Sequence, residues 1–270
     1  MTAVDWTEDD FLGGQLRLRQ PRDGYRIGID TVLLAAAVTP RAGAKILDIG
    51  GGTGGISLCL ATRLRGIGVD NFNIDSIELQ KEHKLLFEDN IGLNNLAAHV
   101  QVTQGNIKSP PRTLAPNSYD YVLSNPPYLA AGHATPPPQA GKAISHMDSD
   151  ISLRDWTRYC LRMTRPLGYL TMVCRADRLN DILSALDDKA GDIIIFPLWP
   201  TAGQAAKRVV VQARKGGRGA LHLSAGLVLH QGPQKYTREA EEVLRHGKRL
   251  DLTEKAAYKG RGTEQGVRNK

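Results

Sequence analysis

Residues 44–55 read AKILDIGGGTGG, and this stretch decides the fold class. Its first six residues are mostly apolar, which predicts a buried strand over Ala44–Ile49. The five glycines that follow allow the backbone to turn tightly and to approach a ligand closely. The next residues, Gly55–Arg65, are predicted to form a helix. A strand, a glycine-rich turn and a helix in this order predict a nucleotide-like ligand at the turn of an α/β fold.

Strand-like and helix-like segments alternate through most of the chain. The further strands predicted are Asn73–Leu79, Val100–Gln104, Tyr119–Ser124, Gly168–Val173, Asp192–Phe196 and Arg208–Ala213. The further helices predicted are one ending near Gly92, Leu153–Arg165 and Asp177–Leu186. This alternation predicts an α/β fold with a mainly parallel sheet. Ligands of such sheets bind beyond the carboxyl ends of the strands, where the glycine turn is expected to lie.

A second motif, Asn125-Pro126-Pro127-Tyr128, directly follows the predicted strand Tyr119–Ser124. The two prolines fix two φ angles and lack backbone donors, and they also push Asn125 out of the helical region. The chain therefore leaves the strand as a stiff corner. Such a corner can present the Asn125 side-chain oxygen and a proline carbonyl side by side, with the Tyr128 ring next to them. Two acceptors and a stacking surface suit a flat ring that carries an exocyclic amino group.

The glycine turn is compatible with two cofactors. It contains the spacing G-x-G-x-x-G at Gly50, Gly52 and Gly55, which leaves a dinucleotide formally open. Asp48 argues against a dinucleotide, because a carboxylate just before the glycines is poorly placed beside a pyrophosphate. The same carboxylate suits S-adenosyl-L-methionine, whose sulfonium and ammonium groups are positive. Glu78, near the end of the next strand, can accept hydrogen bonds from both ribose hydroxyls of either cofactor.

Composition and charge exclude several classes of protein. The 270 residues are 41% apolar, which is enough for a substantial core, and the three cysteines form no metal-binding or redox pattern. No apolar run approaches membrane-spanning length, and an acidic start of the chain argues against a targeting peptide, so we expect a cytoplasmic protein without a metal. Residues 1–200 carry a net charge of −2 and residues 201–270 a net charge of +9. This one-sided distribution is typical of a nucleic-acid-binding protein.

The glycine turn, Glu78 and the Asn125–Tyr128 corner, in this order and spacing, resemble the class I S-adenosylmethionine-dependent amino-methyltransferases. Three flanking segments narrow the resemblance to the bacterial family of tRNA adenine-N6 methyltransferases that act beside the anticodon. They are residues 20–35 (QPRDGYRIGIDTVLLA), 207–216 (KRVVVQARKG) and 236–241 (YTREAE). The resemblance covers roughly residues 12–250, and the flanking segments are less specific than the cofactor and corner motifs.

The resemblance implies a Rossmann-like, seven-stranded, mostly parallel sheet with helices on both faces and an antiparallel last strand. It implies methyl transfer to N6 of an unpaired adenine in RNA, most simply a tRNA, by a monomer. The residues that it places at the cofactor are Asp30, Asp48, Gly50, Gly52, Gly54, Glu78, Asn106 and Asn125. Asn106 departs from the family, which has an acidic residue at this position. The residues that it places at the transferred methyl group and the base are Asn125, Pro126, Pro127 and Tyr128.

Four further residues are candidates for substrate binding: Tyr25, Arg26, Lys207 and Arg208. Lys207 and Arg208 belong to a basic cluster, with Arg214, Lys215 and Arg218, that suits phosphates. Asp30 is predicted to cap a helix over Thr31–Val38 or to close over the cofactor. His133 and His146 follow the proline corner in a predicted loop. We expect one domain over residues 1–250 and a basic, flexible tail over residues 251–270.

Three other functions remain open on the sequence alone. A glutamine amide in a protein, such as a translation release factor, presents a similar planar NH₂ group. Such enzymes usually carry a separate N-terminal helical domain, whereas only about 40 residues precede the glycine turn here. DNA adenine or rRNA guanine also fits the corner. The last alternative is a non-catalytic RNA-binding module that has kept the fold.

Overall fold

The computed structural model describes residues 5–24, 26–127, 151–232 and 235–253. Its strands are β1 (Trp6–Phe11), β2 (Leu16–Pro21), β3 (Ala44–Ile49), β4 (Phe72–Glu78), β5 (Val100–Gln104), β6 (Tyr119–Ser124), β7 (Thr164–Arg175), β8 (Ala190–Thr201), β9 (Arg208–Lys215), β10 (His222–Leu223), β11 (Leu227–Gly232) and β12 (Lys235–Tyr236). Its α-helices are α1 (Ile29–Ala36), α2 (Gly55–Gly66), α3 (Lys81–Leu93), α4 (Leu153–Met163), α5 (Leu179–Leu186) and α6 (Arg238–Leu244). Short 3-10 turns span Leu12–Gly14 and Ala176–Arg178.

The central sheet has the strand order β12-β11-β8-β9-β7-β6-β3-β4-β5, and β10 also pairs with β8. Strand β9 is antiparallel to both of its neighbours, whereas β3 to β7 pair in parallel. This confirms the predicted α/β fold, its mostly parallel sheet and its antiparallel last strand. The strand number was underestimated: in the described part of the chain the sheet has ten strands. Strand β8 would otherwise end the sheet, and β10 and β11 pair with its exposed edge.

Helices cover both faces of the sheet, as expected, because successive strand residues point to opposite sides. One core, which includes Ile46 and Val173, packs against α1, α2, α3 and α6. The other core, which includes Leu47 and Met172, packs against α4 and α5. Both sides of β3 and β7 therefore pack against an apolar core, as expected for strands that helices cover on both faces.

The N-terminal hairpin of β1 and β2, which the sequence analysis did not predict, docks on helix α3 through two asparagines. Asn90 accepts from the backbone N–H of Arg19 at 2.7 Å and donates to its carbonyl at 2.9 Å. Asn94 bonds the N–H and carbonyl of Arg17 in the same way, at 3.1 and 2.7 Å. Residues four apart on a helix and two apart on a strand are both spaced by about 6–7 Å. The two side chains therefore make the hydrogen bonds to the β2 backbone that a neighbouring strand would otherwise make.

The packed chain continues to the end of the described residues. The backbone N–H of Leu250 donates to the carbonyl of Ala36 at 2.9 Å, and Leu252 is buried in the core with α6. The predicted tail over residues 251–270 therefore includes a packed residue, Leu252, and residues 254–270 lie outside the described part. Within that part, no helix is both long enough and apolar enough to cross a membrane.

Arg63 of α2 is expected to be a main contributor to stability. Its buried guanidinium donates to the carbonyls of Ala35, Val38 and Gly247 and so joins α1 to the segment after α6. Burial lowers the pKa of Arg63 to about 10. Arg63→Met should reduce the free energy of unfolding in urea by about 2–4 kcal/mol, because it leaves buried carbonyls without donors. The exposed Arg65→Met should change it by less than about 0.5 kcal/mol, and equal losses would contradict the assignment.

Candidate active site

The two predicted motifs meet at one edge of the sheet. Strands β3 and β6 are parallel neighbours, so the glycine turn and Asn125 leave adjacent strands at their carboxyl ends. The Ser124 hydroxyl donates to the carbonyl of Ile49 at 2.7 Å. Because Ser124 immediately precedes Asn125 and Ile49 immediately precedes Gly50, this bond holds the starts of both motifs together. Beyond Ser124, Asn125 is half-buried, Pro126 is buried and Pro127 is exposed.

Trp156 of α4 contacts the carboxyl ends of both β3 and β6. Its indole N–H donates to the Ser124 hydroxyl at 2.9 Å. Its ring lies against Gly50, where a β-carbon would come within 3.1 Å of the indole. From the sequence, Trp156 was predicted only to lie in a helix, without a role at the site. Its partners, Ser124 and Gly50, lie in distant segments, so the only available signal was that this helix is the first one predicted after the corner.

The glycine turn is shaped by tight packing against α3. Gly54 has a φ of 101° and precedes α2, and a β-carbon there would lie 2.5 Å from the Phe87 ring. Another side chain is therefore excluded both by conformation and by space. Gly52 has a φ of 56°, and a β-carbon there would meet nothing within 4 Å, so this side of the turn is open. The Gly52 N–H donates to Glu78 at 2.8 Å.

Asp48 lies completely buried beneath the turn. One carboxylate oxygen accepts from the Ser57 hydroxyl at 2.7 Å, and the other has no hydrogen-bond partner among the described residues. Burial raises the pKa of Asp48 to about 7, and the nearby charge of Glu78 adds to this, although hydrogen bonds from Ser57 oppose it. A spare acceptor under a glycine turn is an observation that favours a cationic or hydrogen-bond-donating ligand.

Glu78 and Asn106 lie at the carboxyl ends of β4 and β5. The two Glu78 oxygens accept from the N–H groups of Gly52 and Gln80, and each oxygen keeps acceptor capacity for a further donor. The Gly105 N–H donates to the Glu78 carbonyl, which places Asn106 beside it. The Asn106 side-chain oxygen accepts from the Lys108 N–H at 2.8 Å within its own turn. The predicted cofactor residues of three neighbouring strands therefore line one edge.

Asp30 is not the helix cap that the sequence predicted. Helix α1 begins at Ile29 and is preceded by Gly28, whose backbone, not a side chain, starts the helix. The Asp30 carboxylate instead accepts from Arg208 at 3.0 Å, which joins α1 to the start of β9. Lys207, the residue before Arg208, is exposed. Asp30 and Arg208 thus form an ion pair at the same edge of the sheet as Asn125.

The basic cluster of the C-terminal quarter is divided in two. Strand β9 runs antiparallel, so Arg214 lies about 20 Å from Arg208, towards the other edge of the sheet. Arg214 lies over the Tyr169 ring, and the Lys215 ammonium donates to the carbonyls of Leu161 and Thr164. The five residues therefore do not form one phosphate site, because a strand separates them and Lys215 caps the end of α4.

Other candidate residues lie at the hairpin or outside the described chain. Arg26 donates to Asp9 at 2.6 Å and to the Thr7 hydroxyl at 2.7 Å, so it is part of the N-terminal hairpin network. The side chains and positions of Tyr25, Tyr128, His133 and His146 lie outside the described residues. Their predicted contacts with the substrate stay predictions.

The residues present fit S-adenosylmethionine. The partnerless oxygen of Asp48, the open side of Gly52 and the remaining acceptor capacity of Glu78 converge on one turn. These groups can accept from donors and tolerate a positive ligand, and they do not favour a pyrophosphate. In the described ranges 5–24, 26–127, 151–232 and 235–253, no group of three or more His, Cys, Asp or Glu residues could hold a metal ion.

Comparison with known proteins points in the same direction. A family model described as the methyltransferase small domain matches residues 25–145. A protein of Musicola paradisiaca named tRNA1(Val) (adenine(37)-N6)-methyltransferase is 33% identical over 179 residues, which are 66% of this chain and 69% of that protein. A protein of the same name from Aeromonas salmonicida is 26% identical over 229 residues, 84% of this chain and 92% of that protein.

A solved structure supports the fold independently of these sequences. It is described as a predicted O-methyltransferase of Agrobacterium tumefaciens and superimposes with a TM-score of 0.65 and 21% identity. The superposition covers 83% of this chain and 99% of that protein. The central sheet and its helices are therefore those of a class I methyltransferase.

The buried Asp48 should make stability depend on pH in a defined direction. Its pKa is higher in the folded state than in the unfolded chain, so its contribution is present near pH 4 and is lost as the pH rises through about 7. Relative to Asp48→Asn, the unaltered protein should lose up to about 4 kcal/mol of unfolding free energy between pH 4 and 7.

Urea unfolding of both proteins across this range measures the difference. Asp120→Asn is the control, because the pKa of Asp120 is shifted in the opposite direction. Burial raises this pKa, but hydrogen bonds from Lys45, Arg41 and Arg165 outweigh burial and lower it. Its contribution should therefore be constant between pH 5 and 7, and lost only at more acidic pH. A constant difference for Asp48→Asn as well would show that Asp48 is ionised throughout.

Proposed function

Because this chain belongs to the family of the tRNA1(Val) (adenine(37)-N6)-methyltransferases, we propose that it methylates N6 of an unpaired adenine in tRNA. It is an S-adenosylmethionine-dependent N-methyltransferase with the class I fold. The observation that carries the choice of an amino group is the Asn125–Pro127 corner, held beside the glycine turn by the bond from Ser124 to Ile49.

The corner acts on the amine by orienting it. An adenine N6 is a poor nucleophile, because its lone pair is delocalised into the ring. The Asn125 side-chain oxygen and the Pro126 carbonyl accept its two hydrogens and favour a pyramidal nitrogen with the lone pair directed at the methyl group. Orientation of two bound reactants lowers a barrier by about 7–11 kcal/mol. Fixed dipoles beside the developing positive charge add to this effect.

When bound, S-adenosylmethionine would supply an activated methyl group for the adenine N6, with S-adenosylhomocysteine as the second product and the extra proton of the amine released to water. Asp48 and the turn residues Gly50, Gly52 and Gly54 would hold the cofactor. Glu78 would accept from its ribose hydroxyls, and the Asn106 amide oxygen from its adenine amino group. Asn106 has no charge, so this last contact is weaker than one to a carboxylate.

Five further residues are assigned to the substrate. Tyr128 stacks on the target base, a contact worth about 1–3 kcal/mol. Lys207 contacts a phosphate, and Arg208 contributes through its ion pair with Asp30. Tyr25 and Arg26, which precede α1 in the chain, are assigned to the substrate as well. A base inside a helix cannot reach such a corner, and RNA loops present unpaired bases at little cost. We place the reaction in the cytoplasm and assign it to a monomer.

The deciding experiment is transfer of labelled methyl groups to total tRNA, rRNA, DNA and protein from a strain that lacks this gene. Nucleoside analysis should then find the label in N6-methyladenosine of tRNA. Label in a glutamine side chain would assign the enzyme to a protein substrate, and label in DNA adenine or rRNA guanine to those nucleic acids. No label in any fraction would favour a non-catalytic RNA-binding module.

Asn125→Ala should reduce kcat by at least about 100-fold, because it removes one of the two acceptors that orient the amine. The affinity for S-adenosylmethionine should change by less than about threefold, which calorimetry measures. Asn73→Ala is the matched control, since Asn73 is exposed on β4 away from the corner. Loss of cofactor affinity in parallel with kcat would mean that the corner supports the fold of the pocket instead of orienting the substrate.

A further inference from the structure

One hydrogen bond distinguishes the two asparagines that dock the N-terminal hairpin. Asn90 and Asn94 each bond one residue of β2 through its N–H and carbonyl. The amide of Asn90, which is completely buried, also donates to the carbonyl of Thr53 at 2.9 Å. Thr53 lies in the middle of the glycine turn. Asn90 therefore connects the hairpin to the turn, whereas Asn94 connects the hairpin to α3 alone.

A second route leads from the hairpin to the other side of the turn. Gln20, at 2% exposure, accepts from the Ile27 N–H at 2.7 Å. The Ile27 side chain packs against Gly55, where a β-carbon would come within 3.0 Å of it. A β-carbon at Gly55 would lie even closer to the Thr31 side chain of α1, at 2.8 Å. Gln20 thus fixes the segment that leads into α1 against the first residue of α2.

Asp9 of β1 holds Gln20 in this orientation. One Asp9 oxygen accepts from the Gln20 amide at 3.0 Å, from the Thr7 hydroxyl at 3.0 Å and from Arg26 at 2.6 Å. A flip of the Gln20 amide would exchange the positions of its oxygen and its NH₂ group. The oxygen would then face the Asp9 carboxylate, and the NH₂ group would face the Ile27 N–H. Both strands of the hairpin are therefore needed to keep Ile27 against Gly55.

We propose that Asn90 and Gln20 are positioning residues of the cofactor pocket, through which the docked N-terminal hairpin holds both sides of the glycine turn. The proposal rests on the S-adenosylmethionine pocket of the proposed function and adds an element that none of the cofactor motifs contains. Neither residue touches the cofactor. They restrict a turn whose glycines would otherwise sample many conformations, so the conformational cost of ordering the turn is met before the cofactor binds.

The test compares Asn90→Ala with Asn94→Ala by calorimetric titration with S-adenosylhomocysteine. Both variants lose the pair of bonds to β2, so both should lower the urea midpoint. Only Asn90→Ala also frees the Thr53 carbonyl, and its dissociation constant should rise about tenfold, compared with less than about twofold for Asn94→Ala. The KM for S-adenosylmethionine should follow the dissociation constant, while kcat at saturation stays within about threefold.

Gln20→Met provides a second variant on a different element, with the exposed Gln15→Met as its control. Gln20→Met should also weaken binding about tenfold, and Gln15→Met should leave it unchanged. If Asn90→Ala does not fold, the comparison of Gln20→Met with Gln15→Met tests the proposal. Equal weakening within each pair, or unaltered binding by Asn90→Ala and Gln20→Met, would overturn the positioning role. Absence of binding by the unaltered protein would instead overturn the proposed function, and with it this inference.

Discussion

The bond from the Ser124 hydroxyl to the Ile49 carbonyl is the contact on which the site depends. It joins the last residues of two parallel strands, and each strand is followed at once by one half of the active site. Trp156 donates to the Ser124 oxygen and packs against Gly50, so the joint is buried. The glycine turn and the Asn125 corner thereby begin side by side, as the proposed orientation of two reactants requires.

The polar groups around this joint divide into those that are satisfied and one that is not. Ser57, Glu78 and Asn90 each have partners within the fold. Of these four residues, only Asp48 keeps a buried oxygen without a partner in the described chain, at a cost that the fold must offset elsewhere. Such a cost is expected where a ligand group completes the hydrogen bonding. The same carboxylate links the stability of the protein to pH.

The parts of the fold that could be predicted are those with a local cause. Strands β3, β5 and β6 were predicted with the residues that the structure gives them, because strand-forming side chains end there at a glycine or at the Asn125-Pro126 corner. The hairpin of β1 and β2 was missed, since its edge is completed by two asparagines of a distant helix. Strands β10 to β12 were missed for a similar reason: they extend a sheet that already exists, and β10 and β12 have only two residues each. Asp30 was misjudged as a cap because its partner, Arg208, is 178 positions away.

The sequence by itself determined the chemistry of the site: a glycine turn with Asp48, a carboxylate at Glu78 and a corner at Asn125 are contiguous motifs whose conformations their own residues impose. Only the tertiary structure decided how these motifs are held. Trp156 under Gly50, Asn90 on Thr53 and Gln20 on Ile27 join segments that are distant in the chain. Such contacts depend on the register and crossing of packed elements, which no local pattern of residues encodes.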